Sequence, residues 1–224
     1  MLPAAKLKQF FSQFKPLTFK AQDPIIRASD TPAGIYFVKS GFVKMNSSFA
    51  DGRQVTLNIF KPGSYFPMLW AVADIPNVYS YTAMTDVSAA RMGRDQLLDF
   101  LDKNPDILMD FTRRILVGLH GLITNIEHLL SGDSYHRVIA ALILCAKRFG
   151  QNRGKKIVID LPLTHQDIAD LAAITRETAS LAMGKLTRKG LISRAGRNIL
   201  ILDPVKLSAE SGIEALSTPL PPAF

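Results

Sequence analysis

A chain of 224 residues, 47% of them apolar, can bury the core of one large domain or two ordinary ones. The lone Cys145 excludes an intrachain disulfide and an iron–sulfur cluster held by several thiols of one chain, and it is expected to be a small buried hydrophobe. The net charge of +8 lies wholly in residues 136–206, which hold 13 Lys/Arg against 5 Asp/Glu while the remainder holds 14 against 14.

Such asymmetry suits a segment facing a polyanion, because a cation near a phosphate releases a condensed counterion; the alternative is a solvated basic surface. The start, "MLPAAKLKQFFSQFK", lacks the apolar run and small-residue cleavage site of a signal peptide. No later segment offers about 18 uninterrupted apolar residues, so a cytoplasmic protein without membrane spans is expected.

From about residue 17 to 94, short pieces rich in Val, Ile, Phe, Tyr and Thr alternate with turn signals at Gly34, Gly41, Asp51-Gly52 and Pro62-Gly63. This predicts an antiparallel β-domain of sandwich or barrel type, with a hairpin at Asp51-Gly52 where glycine supplies positive φ. Within it, "PGSYFPMLWAVADIPNVYSYTA" (62–83) is apolar and aromatic, with one Asp and no cation.

After Asn104-Pro105 the period changes. Phe111, Ile115, Leu119, Leu122, Ile126 and Leu129 recur at spacings of three and four, predicting a helix of roughly seven turns. A stripe of that spacing suits pairing with a second copy, and it also suits packing on the chain's own β-domain. "SGDS" (131–134) supplies a break, followed by the helical "YHRVIAALILCAKRFG" and the strand-like "KKIVIDLPL".

In "LTHQDIADLAAITRETASLAMGKLTRKGLI" (163–192), Thr164 can cap a helix with Asp167 in the acidic capping-box position. Thr175 can cap a second helix that ends at Gly190. Two short helices joined by about four residues form a helix-turn-helix. Ala179, Ala182, Met183 and Leu186 face inward, so Arg176, Glu177 and Ser180 point outward from the first turn, the part of such a helix that reaches base edges. Arg can donate in a fork to guanine, and Glu can accept from cytosine N4. "LISRAGRNILIL" reads as a two-stranded wing with Arg194 and Arg197 near its tip, placed for phosphates, and the Pro-rich tail from 207 is expected to be poorly ordered.

A β-domain, a long helix opening on "NPDILM" and a winged helix-turn-helix containing "LTHQDIADLAAITRETAS" resemble the Crp/Fnr family of bacterial transcription regulators over residues 15–203. The most specific match is "TRET" one turn after "HQDIA". The resemblance implies an α+β chain: a cyclic-nucleotide-binding-like jelly roll (1–104), a dimerisation helix and hinge (105–133), a winged helix-turn-helix (134–206) and a tail (207–224). It implies a homodimer on double-stranded DNA, with RNA polymerase as a further partner. It places Arg176 and Glu177 at base-contacting positions and Thr164, Gln166, Thr175 and Thr178 at or near phosphates. Leu181 stands where the cyclic-AMP receptor of the family has a second base-reading Arg, so at least one base preference should differ.

In nucleotide-binding members the segment aligned with 63–79 supplies a Gly-Glu pair for the ribose and an Arg-Ser pair for the phosphate. Here those places hold Pro67-Met68 and Val78-Tyr79, and no Lys or Arg occurs between Lys61 and Arg91. The adenine-contacting hydroxyl positions on the long helix hold Leu122 and Ile123. A buried phosphodiester without a paired cation is costly, so cyclic AMP and GMP are not expected ligands. Two readings stand. Phe66, Met68, Leu69, Trp70, Tyr79 and Tyr81, with Leu122 and Ile123, line a pocket for an apolar or aromatic effector, or they fill the site themselves. Haem is not expected, since His120, His128, His136 and His165 lie outside the segment, and neither is a metal site at His120 and His128. No Gly-rich phosphate loop, HExxH or GxSxG occurs, so an enzyme is not expected. A ligand-sensing or scaffold module with little DNA role is the competing class, opposed by Arg176-Glu177 and the segregated charge.

Overall fold

The computed structural model describes residues 3–130 and 132–211. The chain divides into two compact units between Gly118 and Leu119.

The first unit contains α1 (Pro3–Ser12), β1 (Pro16–Phe19), β2 (Pro24–Ile26), β3 (Ile35–Ser40), β4 (Val43–Ser48), β5 (Gln54–Phe60), β6 (Tyr65–Phe66), α2 (Met68–Ala73), β7 (Ser80–Ala83), β8 (Val87–Met92) and α3 (Arg94–Asp102). Its strands form two antiparallel sheets, β1-β8-β3-β6 and β2-β7-β4-β5. Successive side chains of a strand point to opposite faces, and β3 uses both. Tyr36 and Val38 join Val43, Phe66, Tyr81, Ala83, Val87 and Ala89 in a core drawn from both sheets. Ile35 and Phe37 face the other way, where Leu7 and Phe11 of α1, Leu97 and Leu101 of α3 and Ile107 cover them. A sheet buried on both faces explains why these strands read as apolar runs rather than as clean alternation.

The expected hairpin is present between β4 and β5. Gly52 has φ +83°, and its N–H donates to the Phe49 carbonyl at 3.0 Å. Asp51 accepts from the Arg53 N–H at 3.0 Å and pairs with its guanidinium at 2.6 Å, which holds this carboxyl below its ordinary pKa.

The helix after Asn104 is α4 (Pro105–Leu130), 26 residues long. Phe111 corrects the expected stripe: it is 5% exposed, with its ring 5.6 Å from that of Tyr65, and so belongs to the core of the first unit. Beyond it the apolar face is uncovered, with Ile115 50%, Leu119 50%, Leu122 43% and Ile126 54% exposed. The side chain of Leu129, also expected on this face, lies outside the described residues, as does that of His128.

The second unit continues through α5 (Ser134–Phe149), β9 (Gly150–Arg153), β10 (Lys156–Ile159), α6 (His165–Ala172), α7 (Arg176–Arg188), β11 (Ile192–Ala195), β12 (Asn198–Ile201) and α8 (Pro204–Ser211). Asp133 caps α5 by accepting from the N–H groups of Tyr135 and His136 at 2.9 and 3.0 Å. Cys145 is buried on α5, and desolvation pushes its thiol up to about 12. The strands form a sheet in the order β11-β12-β10-β9, with α5, α6 and α7 packed together. The expectation of a disordered tail from 207 is corrected at its start. Residues 207–211 continue α8, where Leu207 is wholly buried and Glu210 accepts from the Tyr135 hydroxyl at 3.2 Å. Residues 212–224 lie outside the described part.

Candidate nucleic-acid interface and sensor interior

Local hydrogen bonds define both helices of the α6–α7 pair. The Thr164 hydroxyl accepts from the Asp167 N–H at 3.1 Å, and the Asp167 carboxylate accepts from the Thr164 N–H at 3.0 Å and its hydroxyl at 2.6 Å. This reciprocal box satisfies donors that a helix start leaves open. At the other end Ala173 adopts a left-handed conformation, φ 51° and ψ 49°, and reverses the chain. Thr175 then caps α7 through the Thr178 N–H at 3.3 Å, and the two hydroxyls lie 3.0 Å apart.

Ala179, Ala182, Met183 and Leu186 are buried, fixing the rotation of α7 about its axis. Arg176, Glu177 and Ser180 are consequently exposed, and none has a side-chain partner among the described residues. A free guanidinium and a free carboxylate one residue apart at a helix N-terminus can donate to one base edge and accept from another.

The remaining expected contacts are partly engaged in the protein. Gln166 is exposed, yet its amide donates to the buried Asp170 at 2.7 Å. Arg194 donates to the Leu163 carbonyl at 3.0 Å, tying the wing to the start of α6. Arg197 is exposed in the wing turn, where Gly196 has φ +63° and Ala195 pairs with Asn198. Burial first, then the charges of Arg194 and Arg176, hold the His165 imidazole below the usual histidine pKa.

Five supporting residues, Arg137, Tyr135, Lys185, Lys189 and Glu210, carry no signal in the sequence. Arg137 of α5 reaches the Ala173 carbonyl at 3.5 Å, while its Nε is buried without a partner among the described residues. Tyr135 carries Lys185 over its ring at 4.0 Å and Lys189 at 5.5 Å, and Lys189 pairs with Glu210. The C-terminal end of α7 is thereby clamped to α5 and α8, and its lysines are partly engaged within the protein. The signal for this clamp was tertiary, since Tyr135 and Glu210 are 75 residues apart.

The residues expected to line one effector pocket do not share one surface. Phe66 and Tyr81 stack inside the sandwich with centroids 4.9 Å apart; Tyr36 lies 5.6 Å and Phe60 5.0 Å from Phe66, and Tyr79 packs at the margin. Burial pushes the Tyr81 phenol up from its ordinary pKa. Met68 and Trp70 instead pack on the opposite side of the first sheet with the α1 and α3 side chains, and Leu69 is 49% exposed. The chain turns into α2 directly after β6, so neighbours in sequence diverge to different faces. Leu122 and Ile123 are exposed on the part of α4 belonging to the second unit.

Lys44 is buried on β4, but it alternates with Val43 of the inter-sheet core and so faces away from the aromatic stack. A cleft of about 320 Å³ lies elsewhere in the first unit, lined by Asp30, Trp70, Asp74 and Asn77 among others. It shares only Trp70 with the expected pocket, and Arg94 flanks it, 5.7 Å over the Trp70 ring and paired with Asp74 at 2.7 Å.

Residues 136–210 match the Crp-like helix-turn-helix domain and residues 16–104 the cyclic nucleotide-binding domain. The chain is 29% identical over 196 residues to the CRP-like cAMP-activated global transcriptional regulator of Mycobacterium tuberculosis, covering 88% of each chain. It is 28% identical over 195 residues to the global nitrogen regulator of a Nostoc species, covering 86% of this chain and 87% of that one. A CRP/FNR-family transcriptional regulator from Thermus thermophilus superposes with a TM-score of 0.67 at 25% identity, over 88% of this chain and 98% of that one. No described helix is long and apolar enough to cross a membrane.

Proposed function

Because the chain belongs to the Crp/Fnr family of DNA-binding transcription regulators, we propose that it works as a homodimer on a pseudo-palindromic operator, without a cyclic-nucleotide signal. The observation that carries the DNA assignment is the exposed Arg176-Glu177 pair, free of partners among the described residues on a helix whose rotation is set by its buried face. Thr164, Thr175, Thr178, Gln166, Arg194 and Arg197 surround it as the phosphate-contacting set. One α7 helix enters the major groove of each half-site, with half-site centres about 34 Å apart.

The uncovered face of α4 supports the dimer. Ile115, Leu119, Leu122 and Ile126 form a stripe that lacks cover within the protomer, and a second copy of the same helix would bury it.

Two features support independence from cyclic nucleotides. Residues 62–90 contain no Lys or Arg, and a buried phosphodiester without a cation costs several kcal/mol. The interior between the sheets is occupied by Phe66, Tyr81 and Tyr36. The Mycobacterium tuberculosis relative is named for activation by cAMP; this chain lacks the charge such a ligand needs in that segment. The protein is therefore a non-enzymatic cytoplasmic regulator that meets RNA polymerase on DNA, its sensor site closed by its own side chains.

Replacing Arg176 by Ala tests the DNA assignment. Competitive binding to an operator selected by the wild type should lose discrimination at one G·C pair, at about 1–3 kcal/mol. Unchanged preference at every pair would refute the docking.

A further inference from the structure

We propose that Leu181 recognises a thymine through its C5-methyl group, as an apolar reading residue beside Arg176 and Glu177; this rests on the DNA-reading assignment above. Leu181 is 75% exposed on α7, four residues after Glu177 and one after Ser180. Residues three or four apart on a helix are neighbours on its surface, so these side chains and Arg176 share one face. The opposite face is fully used by Ala179, Ala182, Met183 and Leu186.

A single exposed leucine is ordinary on a protein surface. Its surroundings distinguish this one. Gly184, three residues further along the same face, lies in the helix interior, where glycine is disfavoured relative to alanine. A Cβ built there would meet nothing within 4 Å, so packing within the protomer does not require the absence of a side chain. Lys185 is drawn over the Tyr135 ring at 4.0 Å, away from that face. The surface thus runs from a charged pair through a small hydroxyl to an isolated apolar side chain, then to a bare backbone position where a duplex could approach closely.

Major-groove chemistry selects the partner. Guanine, adenine and cytosine present donors or acceptors there, and leucine would desolvate them without replacing the lost hydrogen bonds. Thymine alone adds a methyl group, which an apolar side chain can cover. Burying one methyl corresponds to about a fourfold gain in affinity per half-site.

The test uses the full-length protein and an operator obtained by selection from random duplexes. Each thymine is replaced singly by uracil, which deletes only the methyl group, and binding is measured for wild type and for Leu181→Ala. This variant trims an exposed side chain and leaves no cavity. Wild type should weaken about fourfold at one thymine position per half-site, and Leu181→Ala should be indifferent to the same replacement. Insensitivity of the wild type at every thymine, with sequence-selective binding intact, overturns the proposal, as does an undiminished loss in Leu181→Ala. Failure of the wild type to select any sequence would instead overturn the DNA-reading assignment itself. Gly184→Ala supplies a second readout: its melting temperature should hold or rise while operator affinity falls, and unchanged affinity would remove the close approach from the account.

Discussion

Tyr81 lies flat against Phe66 between the two sheets of the β-domain, with ring centroids 4.9 Å apart and planes inclined by 7°. Both rings are almost wholly buried, and the ring of Tyr36 lies 5.6 Å from that of Phe66, inclined by 15°. These rings are core, so removing one should cost stability before it affects any signal. Phe66→Ala should lower the unfolding free energy by about 3–5 kcal/mol, measured by urea denaturation. A loss below about 1 kcal/mol would mean that the interior is already open.

The stripe on α4 changes character along its length, and two substitutions separate its roles. Leu119→Lys should shift the proposed dimer toward monomer at micromolar concentration in sedimentation velocity while leaving the chain folded, since Leu119 is 50% exposed. Phe111→Ala, acting on the packed end, should instead destabilise the protomer by about 3–5 kcal/mol. An intact Leu119→Lys dimer would contradict the assignment of that face.

His165 should report DNA binding through its proton. In the free protein, burial and the nearby Arg194 and Arg176 charges depress its pKa. A phosphate beside Arg194 offsets that charge and raises the value, so binding takes up a proton and affinity should increase as pH falls through the titration range of His165. For folding the sign is the reverse. The unfolded chain protonates near the ordinary value of about 6.5, above the folded one, so this group's contribution to stability declines as pH drops from there. NMR titration of the imidazole, free and operator-bound, checks both; equal pKa values in the two states would contradict the phosphate placement.

Helix α8 should behave as part of the DNA-binding unit. Leu207 is fully buried, so Leu207→Ala should cost about 2–5 kcal/mol by chemical denaturation. Tyr135→Phe removes a partly buried hydrogen bond to Glu210 and should cost about 1 kcal/mol. Neutral results at both would return residues 207–211 to a dispensable tail.

Features set within a few residues were legible in the sequence. The caps at Thr164 and Thr175, the Asp51-Gly52 hairpin and the outward face of α7 each depend on spacings of four residues or fewer. What needed the structure depends on distant partners. Met68 and Trp70 share the apolar character of Phe66 and Tyr81, but the first sheet is buried on both faces, so composition could not tell which side each residue takes. Phe111 continues the α4 period without a break, and its packing on Tyr65 across the fold marks where the core of the first unit ends. The α8 contact depends on Tyr135, far away in sequence, and the segment is too short to declare itself by periodicity.

Selection of bound fragments from random duplex DNA with the purified protein, with and without cyclic AMP or GMP, tests sequence reading and nucleotide independence together. The expected result is one enriched pseudo-palindrome, with half-sites about one helical turn apart and the same enrichment whether or not nucleotide is present. Enrichment that appears only when a cyclic nucleotide is added would contradict it.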